Sequence, residues 1–495
     1  MSQFSPPPRS WAFLGPLVFA AVTTAPVAAF LNSRQEIPRQ PVAARALPAS
    51  PRHTTTNQDS TVTIVPLSNE GSDAQLLVIG SLGDAARQYA VAFDSGEPID
   101  DPTRYRTPDF EPVTQHGQDS HSEPGFDVTL TSGKLPSSLS DSLNSRRIFF
   151  LQTGNDPAQE SSYQAISTTL LSDSGRVSVW WEDHSPAVPD PSLARELTQR
   201  IEEILPRIHQ LLGDVTDLDG DGRLAICITS RLAAFPRRET PVYGLVQIND
   251  FQIHLPRPFS NHADVMFLSP DIPRGPAGQA ILVHEAAHLA TFSRRLESNS
   301  PSAQFDGDWL NEGVAHAAEI AGSGDWSNLR NRRNAFFTHP ADSPLEVEDA
   351  HRQQLWNNDG SRGAAWSFVT WLASELGPDG LRRIVAHPLT GREKLEQLSH
   401  ESFAELFRRW AVSVAWKQAA SSAESPVVGS LSAQGASQDD EPQVEMLRGT
   451  AWLVRRLPQG DERRRALRIT APSDCQLQVT GIRKDGKGLA IQKFR

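Results

Sequence analysis

From Pro191 to Leu212 apolar side chains recur every three or four residues, at Leu193, Leu197, Ile201, Ile204, Ile208 and Leu212. That period lines them along one side of a helix, so the spacing predicts an amphipathic helix that stops at Gly213. Upstream, between Thr61 and Asp183, the pattern changes to short β-branched and aromatic runs: TVTIV, LLVIG, FDVTL, RRIFFL and VSVWW, separated by Gly, Ser, Pro and Asp clusters. These predict strands, with Trp180 and Trp181 packing a sheet. DLDGDGRLAICI follows the helix as an acidic turn running into a strand, and Ala263–Leu268 (ADVMFL) predicts another strand. Beyond Pro270 the pattern turns helical. It includes GAAWSFVTWLASELG, closed by Gly377, and SFAELFRRWAVSVAW, where Ser402 and Glu405 form a capping box. The last fifty or so residues return to strand-like runs, AWLVRRL, ALRIT and QLQVT.

This organisation gives an α+β chain with these expected boundaries: 1–29 an export signal, 30–60 a linker or pro-segment, 61–190 a β-rich region, 191–420 the chemical domain, 421–443 a linker and 444–495 a small β domain. The first segment has Arg9 before an apolar run that ends in Val27, Ala28 and Ala29. That arrangement predicts cleavage and a secreted or cell-envelope protein without stable membrane insertion. Lys and Arg number 47 against 59 Asp and Glu, a formal charge of −12, which argues against nucleic acid as a partner. With only Cys227 and Cys475, a thiolate metal site is excluded and at most one disulfide is available, so any metal has to use His and carboxylates.

ILVHEAAHLATF supplies such residues. His284 and His288 are four apart, so on a helix their rings leave one face a single turn apart, within reach of one ion. Glu285 beside them is placed to act as a general base on water rather than as a ligand. Burying two imidazoles and a carboxylate among Ile281, Leu282, Val283 and Leu289 would cost several kcal/mol without partners. A catalytic zinc wants a third protein ligand, and Glu312 in DWLNEGVAHAAEIAG meets that need, sharing a helix face with His316 and Glu319. Glu319 is expected to orient a ligand His.

HEAAH followed by WLNEGVAHAAE resembles the gluzincin metallopeptidases, and most closely the hyicolysin-like family, which also shows a D-x-D-G-D-G turn before an apolar strand (DLDGDGRLAICI) and a late segment like SFAELFRRWA. The resemblance runs with gaps from about Arg147 to Trp416. It implies a zinc-dependent metalloendopeptidase of thermolysin-like architecture: a mixed sheet beside the H-E-x-x-H helix, a helical half supplying Glu312, and a peptide or protein substrate in the cleft between. One zinc would activate a water, with Glu285 as base. Ala263–Leu268 is the candidate edge strand for an extended peptide.

The chain departs from that pattern at Arg362, where the family places a Tyr that supports the oxyanion. Arg362, His316, His339, His351 and Tyr243 are the candidates to replace it. A catalytically degenerate zinc-binding scaffold or surface interaction protein is therefore the alternative. An aminopeptidase ranks lower, because no G-A-M-E-N-type segment precedes the helix. In the acidic turn, Asp217, Asp219 and Asp221 allow two equal readings, a calcium ion or a metal-free Asp/Gly turn.

Overall fold

The structure is a computed structural model that describes residues 53–57, 60–66, 74–84, 87–96, 145–154, 156–234, 241–297, 305–347, 358–421, 428–430, 443–456, 466–472, 475–484 and 489–494. Helices and sheets are both extensive, so the chain is α+β. The predicted export signal, the FDVTL run and His351 lie outside the described residues.

A six-stranded mixed sheet carries the site. Its strands are β5 (Arg146–Gln152), β6 (Tyr163–Asp173), β7 (Val177–Glu182), β8 (Leu224–Ile228), β9 (Gly244–Leu245) and β10 (Val265–Leu268), in the order β5-β6-β7-β8-β10-β9. β7 and β8 are parallel, as are β8 and β10. Helix α1 (Pro191–Leu211) makes the crossover from β7 to β8. It begins where Asp190 Oδ1 accepts from the backbone N–H groups of Ser192 and Leu193, with Pro191 preset for the first turn. β8 and β10 are buried along their whole length, as central parallel strands covered on both faces must be, and this is why their sequences read as unbroken apolar runs. Trp180 and Trp181 are both buried, packing opposite faces of this sheet.

The remaining helices are α2 (Pro276–Glu297), α3 (Asp308–Ser323), α4 (Arg330–Thr338), α5 (Asp359–Leu376), α6 (Gly380–Ala386), α7 (Gly391–Ser399) and α8 (Phe403–Ser421). α3 closes at Gly324 (φ 71°) and α5 at Gly377 (φ 97°), where a side chain would be strained. Ser402 Oγ accepts from Glu405 N–H at 3.3 Å, the backbone half of the capping box. Phe336, Phe368 and Trp410 fill the centre of the helical half, with Phe336 stacked on Trp410.

The ends of the chain overturn the expected domain scheme. β1 (His53–Asn57), β2 (Ser60–Pro66) and β4 (Gln88–Gly96) share a five-stranded sheet with β12 (Gln443–Arg448) and β14 (Ala466–Pro472). β3 (Ala74–Ser81) shares a second with β11 (Val428–Ser430), β13 (Trp452–Arg456), β15 (Leu477–Lys484) and β16 (Leu489–Phe494). The last fifty residues are thus not a separate appendage, but half of a sandwich whose other half comes from residues 53–96. β5, β6 and β7 share the site's sheet with β8, β10 and β9, so the strands on either side of residue 190 belong together. The two-residue period of β3 explains the docking. Leu77 and Ile79 point into the sandwich, while Leu76 and Val78 join the main core. Gly80 is tight against α8, since a β-carbon there would lie 2.7 Å from Phe407. Cys227 is buried in β8 and Cys475 packs against the sandwich core, so the two lie in separate clusters and the allowed disulfide between them does not form.

Candidate metal centre

α2 runs beneath the sheet with its middle wholly buried, and this brings His284, Glu285 and His288 to the floor of a cleft of about 460 Å³. α3 packs alongside, with Gly313 pressed against α5. A β-carbon at Gly313 would meet the Ala365 carbonyl oxygen at 2.8 Å. The start of α3 is pinned by a buried charge cluster that the sequence pattern did not reveal. Asp306 takes Arg295 from the end of α2 at 2.6 Å and Lys394 from α7, while Asn311 Nδ2 donates to the Asp306 carbonyl at 2.6 Å. Glu312 follows directly and so faces α2.

His284 Nε2 and His288 Nε2 lie 3.2 Å apart, Glu312 Oε2 is 3.5 Å from the first, and Glu312 Oε1 is 4.0 Å from the second. Tetrahedral ligands about 2.1 Å from one ion would be separated by about 3.4 Å, so the three fit a common cation after a small turn of Glu312. Glu319, fully buried, supports them from behind. Its Oε2 accepts from His284 Nδ1 at 3.2 Å, His316 Nδ1 at 3.0 Å and Asn328 Nδ2 at 2.9 Å. A carboxylate can only accept, so both imidazoles carry a proton on Nδ1 and turn Nε2 towards Glu312. Glu312 Oε2 and His316 Nε2 are buried with no hydrogen-bond partner, 3.8 Å apart. Acceptors facing acceptors in a buried space fit a bound cation. In the second cluster, His284, His316 and Glu319, one oxygen of Glu319 is taken by three donors, while its Oε1 is buried with no hydrogen-bond partner among the described residues.

The electrostatics agree. Burial lowers the His284 pKa, but Glu312 and Glu319 outweigh it and raise the group to about 9. Burial and then the neighbouring His284 push His288 down to about 3, and the same pair of causes takes His316 to about 4. Glu312 is held well below the usual carboxylate range, against its burial, by Arg362 and His284. One proton therefore sits among these groups in the ion-free site, and a cation would displace it. Glu285 is raised to about 7 by burial, with His284 opposing. It makes no hydrogen bond or ion pair among the described residues, and it lies under the edge strand, where a β-carbon at Gly244 would come within 2.7 Å of its Oε1.

The other candidates separate. Arg362 lines the cleft, but its Nη2 donates to Glu312 Oε1 at 3.0 Å. Tyr243 and His316 also line the cleft, whereas His339 caps the far end of α4 and does not. Ala263–Leu268 is not an edge: β10 is enclosed by β8 and β9, and β9 borders the cleft instead. In the acidic turn Asp217, Asp219 and the buried Asp264 converge, while Asp221 accepts from Arg223 N–H and shares Arg147 with Asp219. Asp219 is paired with Arg147 at 2.6 Å. Asp264, Asn328 and Arg332 were missed by sequence reading because each lies on a different element from the motif it joins. Comparison of the chain with protein-family models and with curated proteins gives no match, so the function has to be argued from the site's own chemistry.

Proposed function

We propose that the chain is a zinc-dependent metallopeptidase of thermolysin-like architecture, exported from the cell, with His284, His288 and Glu312 as metal ligands and Glu285 as general base. The observation that carries this reading is the convergence of the His284 and His288 Nε2 atoms and one carboxylate oxygen of Glu312 that has no hydrogen-bond partner among the described residues, beside Glu285 in the cleft. Zinc bound there supplies Lewis acidity to the scissile carbonyl and to water. Glu285, at a pKa near neutrality, takes a proton from the attacking water and passes it to the leaving amine. Glu319 fixes the tautomer and orientation of His284. Tyr243 stands in the cleft as the donor for the developing oxyanion, since His316 spends its N–H on Glu319 and has none left to donate.

The pairing of Arg362 with Glu312 favours a second reading, a zinc-holding scaffold without turnover. Zinc content and casein hydrolysis, measured for the wild type and Glu285→Gln, decide between the two. The peptidase reading expects about one zinc per chain in both proteins and cleavage by the wild type alone. Zinc without Glu285-dependent cleavage leaves the scaffold, and no zinc defeats both.

A further inference from the structure

Arg332 and Arg362 are brought side by side by a close helix contact. At Gly363 a β-carbon would lie 2.2 Å from the Arg332 carbonyl oxygen, so only glycine lets α4 and α5 approach this far. The approach sets two guanidinium groups, 16% and 18% exposed, in one wall of the cleft next to Glu312. Like charges this close need anions, and among the described residues Glu312 and Asp359 are the carboxylates that pair with them. Arg362 spends one nitrogen on Glu312, and its Nε and Nη1 make no hydrogen bond among the described residues. Arg332 spends Nη1 on the carbonyl and side-chain oxygens of Asn328, and its Nε is buried without a partner, the half-exposed Asp359 standing 3.9 Å away. Ser361, in the same wall, has a buried hydroxyl that also lacks a partner.

We infer that Arg332, Arg362 and Ser361 form a carboxylate-recognising subsite beside the metal centre, so that the favoured substrate is a peptide bearing a carboxylate close to the bond that is cut. Planar guanidinium donors match a carboxylate in paired hydrogen bonds, and the Ser361 hydroxyl supplies a neutral donor at its edge. The carboxylate belongs either to an acidic side chain or to the peptide's own C-terminus. This inference rests on the peptidase reading for the position of the bond, but not for the existence of the subsite.

The test uses full-length, zinc-loaded Glu285→Gln protein and three fluorescent peptides of one length: one with an acidic side chain and an amidated end, one neutral with a free C-terminal carboxylate, and one neutral and amidated. At least one carboxylate peptide is expected to bind about tenfold or more tightly than the neutral amide, and which one does identifies the source. Arg362→Met and Ser361→Ala, each added to that background, should erode the preference. Arg332→Met should erode it further and Arg332→Lys restore part of it, with melting curves excluding any variant that has unfolded. Equal binding of all three peptides, or a preference that survives in both Arg362→Met and Ser361→Ala, overturns the subsite. Casein cleavage by the wild type without charge-selective binding defeats the subsite alone. Charge-selective binding without cleavage upholds the subsite and defeats the peptidase reading.

Discussion

Glu319→Gln isolates the carboxylate behind the metal centre. In the wild type one oxygen of Glu319 accepts from His284, His316 and Asn328, and the residue is fully buried, so no water can replace it. Glutamine keeps the size but turns an NH₂ group towards donors or loses one acceptor lobe, so at least one buried N–H is left unpaired. Leaving such a donor costs about 1–3 kcal/mol, and the metal-free variant should melt lower by a corresponding amount. The larger signature is on the metal. Removing the partner that orients a ligand imidazole typically weakens metal affinity about 10- to 100-fold, equivalent to about 1.4–2.8 kcal/mol. Zinc affinity is read by competition with a chromophoric chelator, with Glu285→Gln as a control that should stay within about twofold of the wild type. A Glu319→Gln protein that melts lower yet binds zinc as tightly as the wild type would show that Glu319 only stabilises the fold, and the argument for a preset imidazole would fail.

Gly244→Ala forces a β-carbon to within 2.7 Å of the Glu285 side chain, so it should displace the base while leaving the zinc content unchanged. In the peptidase reading casein turnover falls about 10- to 100-fold, and unchanged turnover would show that Glu285 has room to give. Asp264→Asn tests the acidic turn. Burial, with Asp219 and Asp217 adding to it, raises the Asp264 pKa to about 8, above the 3.8 of an ordinary Asp. The folded state therefore holds this proton more tightly, and the associated stability is full below pH 3.8 and lost as pH rises towards 8. Melting curves from pH 5 to 9 in metal-free buffer should show the variant gaining on the wild type as pH rises, by roughly 1–4 kcal/mol at the upper end. A parallel pH dependence of the two proteins would refute this.

What could be read from the sequence follows the range of the interaction behind it. The i, i+3, i+4 pattern of α1 and the continuous apolar runs of β8 and β10 are local consequences of facing a core, so both were legible. Strand partners were not, because a strand's pairing is set by elements far away in the chain. ALRIT and QLQVT announce strands, yet nothing in them says that β14 pairs with β2 and β4, or β15 with β3. The edge was misplaced for the same reason. Ala263–Leu268 has the composition of a strand, and the two-residue β9 that covers it is too short to leave a pattern. The sandwich and the site's sheet also have strand runs of the same character, so only pairing could separate Arg146–Glu182 from the residues before them.

The site divides along the same line. His284 and His288 were legible because four residues on a helix fix their separation, and Glu312 because the next helix has to fold back against the first. The outer layer depends on three-way contacts: Arg295 and Lys394 on Asp306, Asn328 on Glu319, and Arg332 against Gly363. Arg362 shows the consequence for function. Read in the chain it stands where an oxyanion donor was expected. In the structure it is committed to Glu312 and neighbours Arg332, so its charge is directed at a ligand carboxylate and at whatever anion enters the cleft. The same guanidinium that weakens the case for an oxyanion donor strengthens the case for a charge-selective cleft, since an ion pair that is only one-third spent retains donors for a substrate.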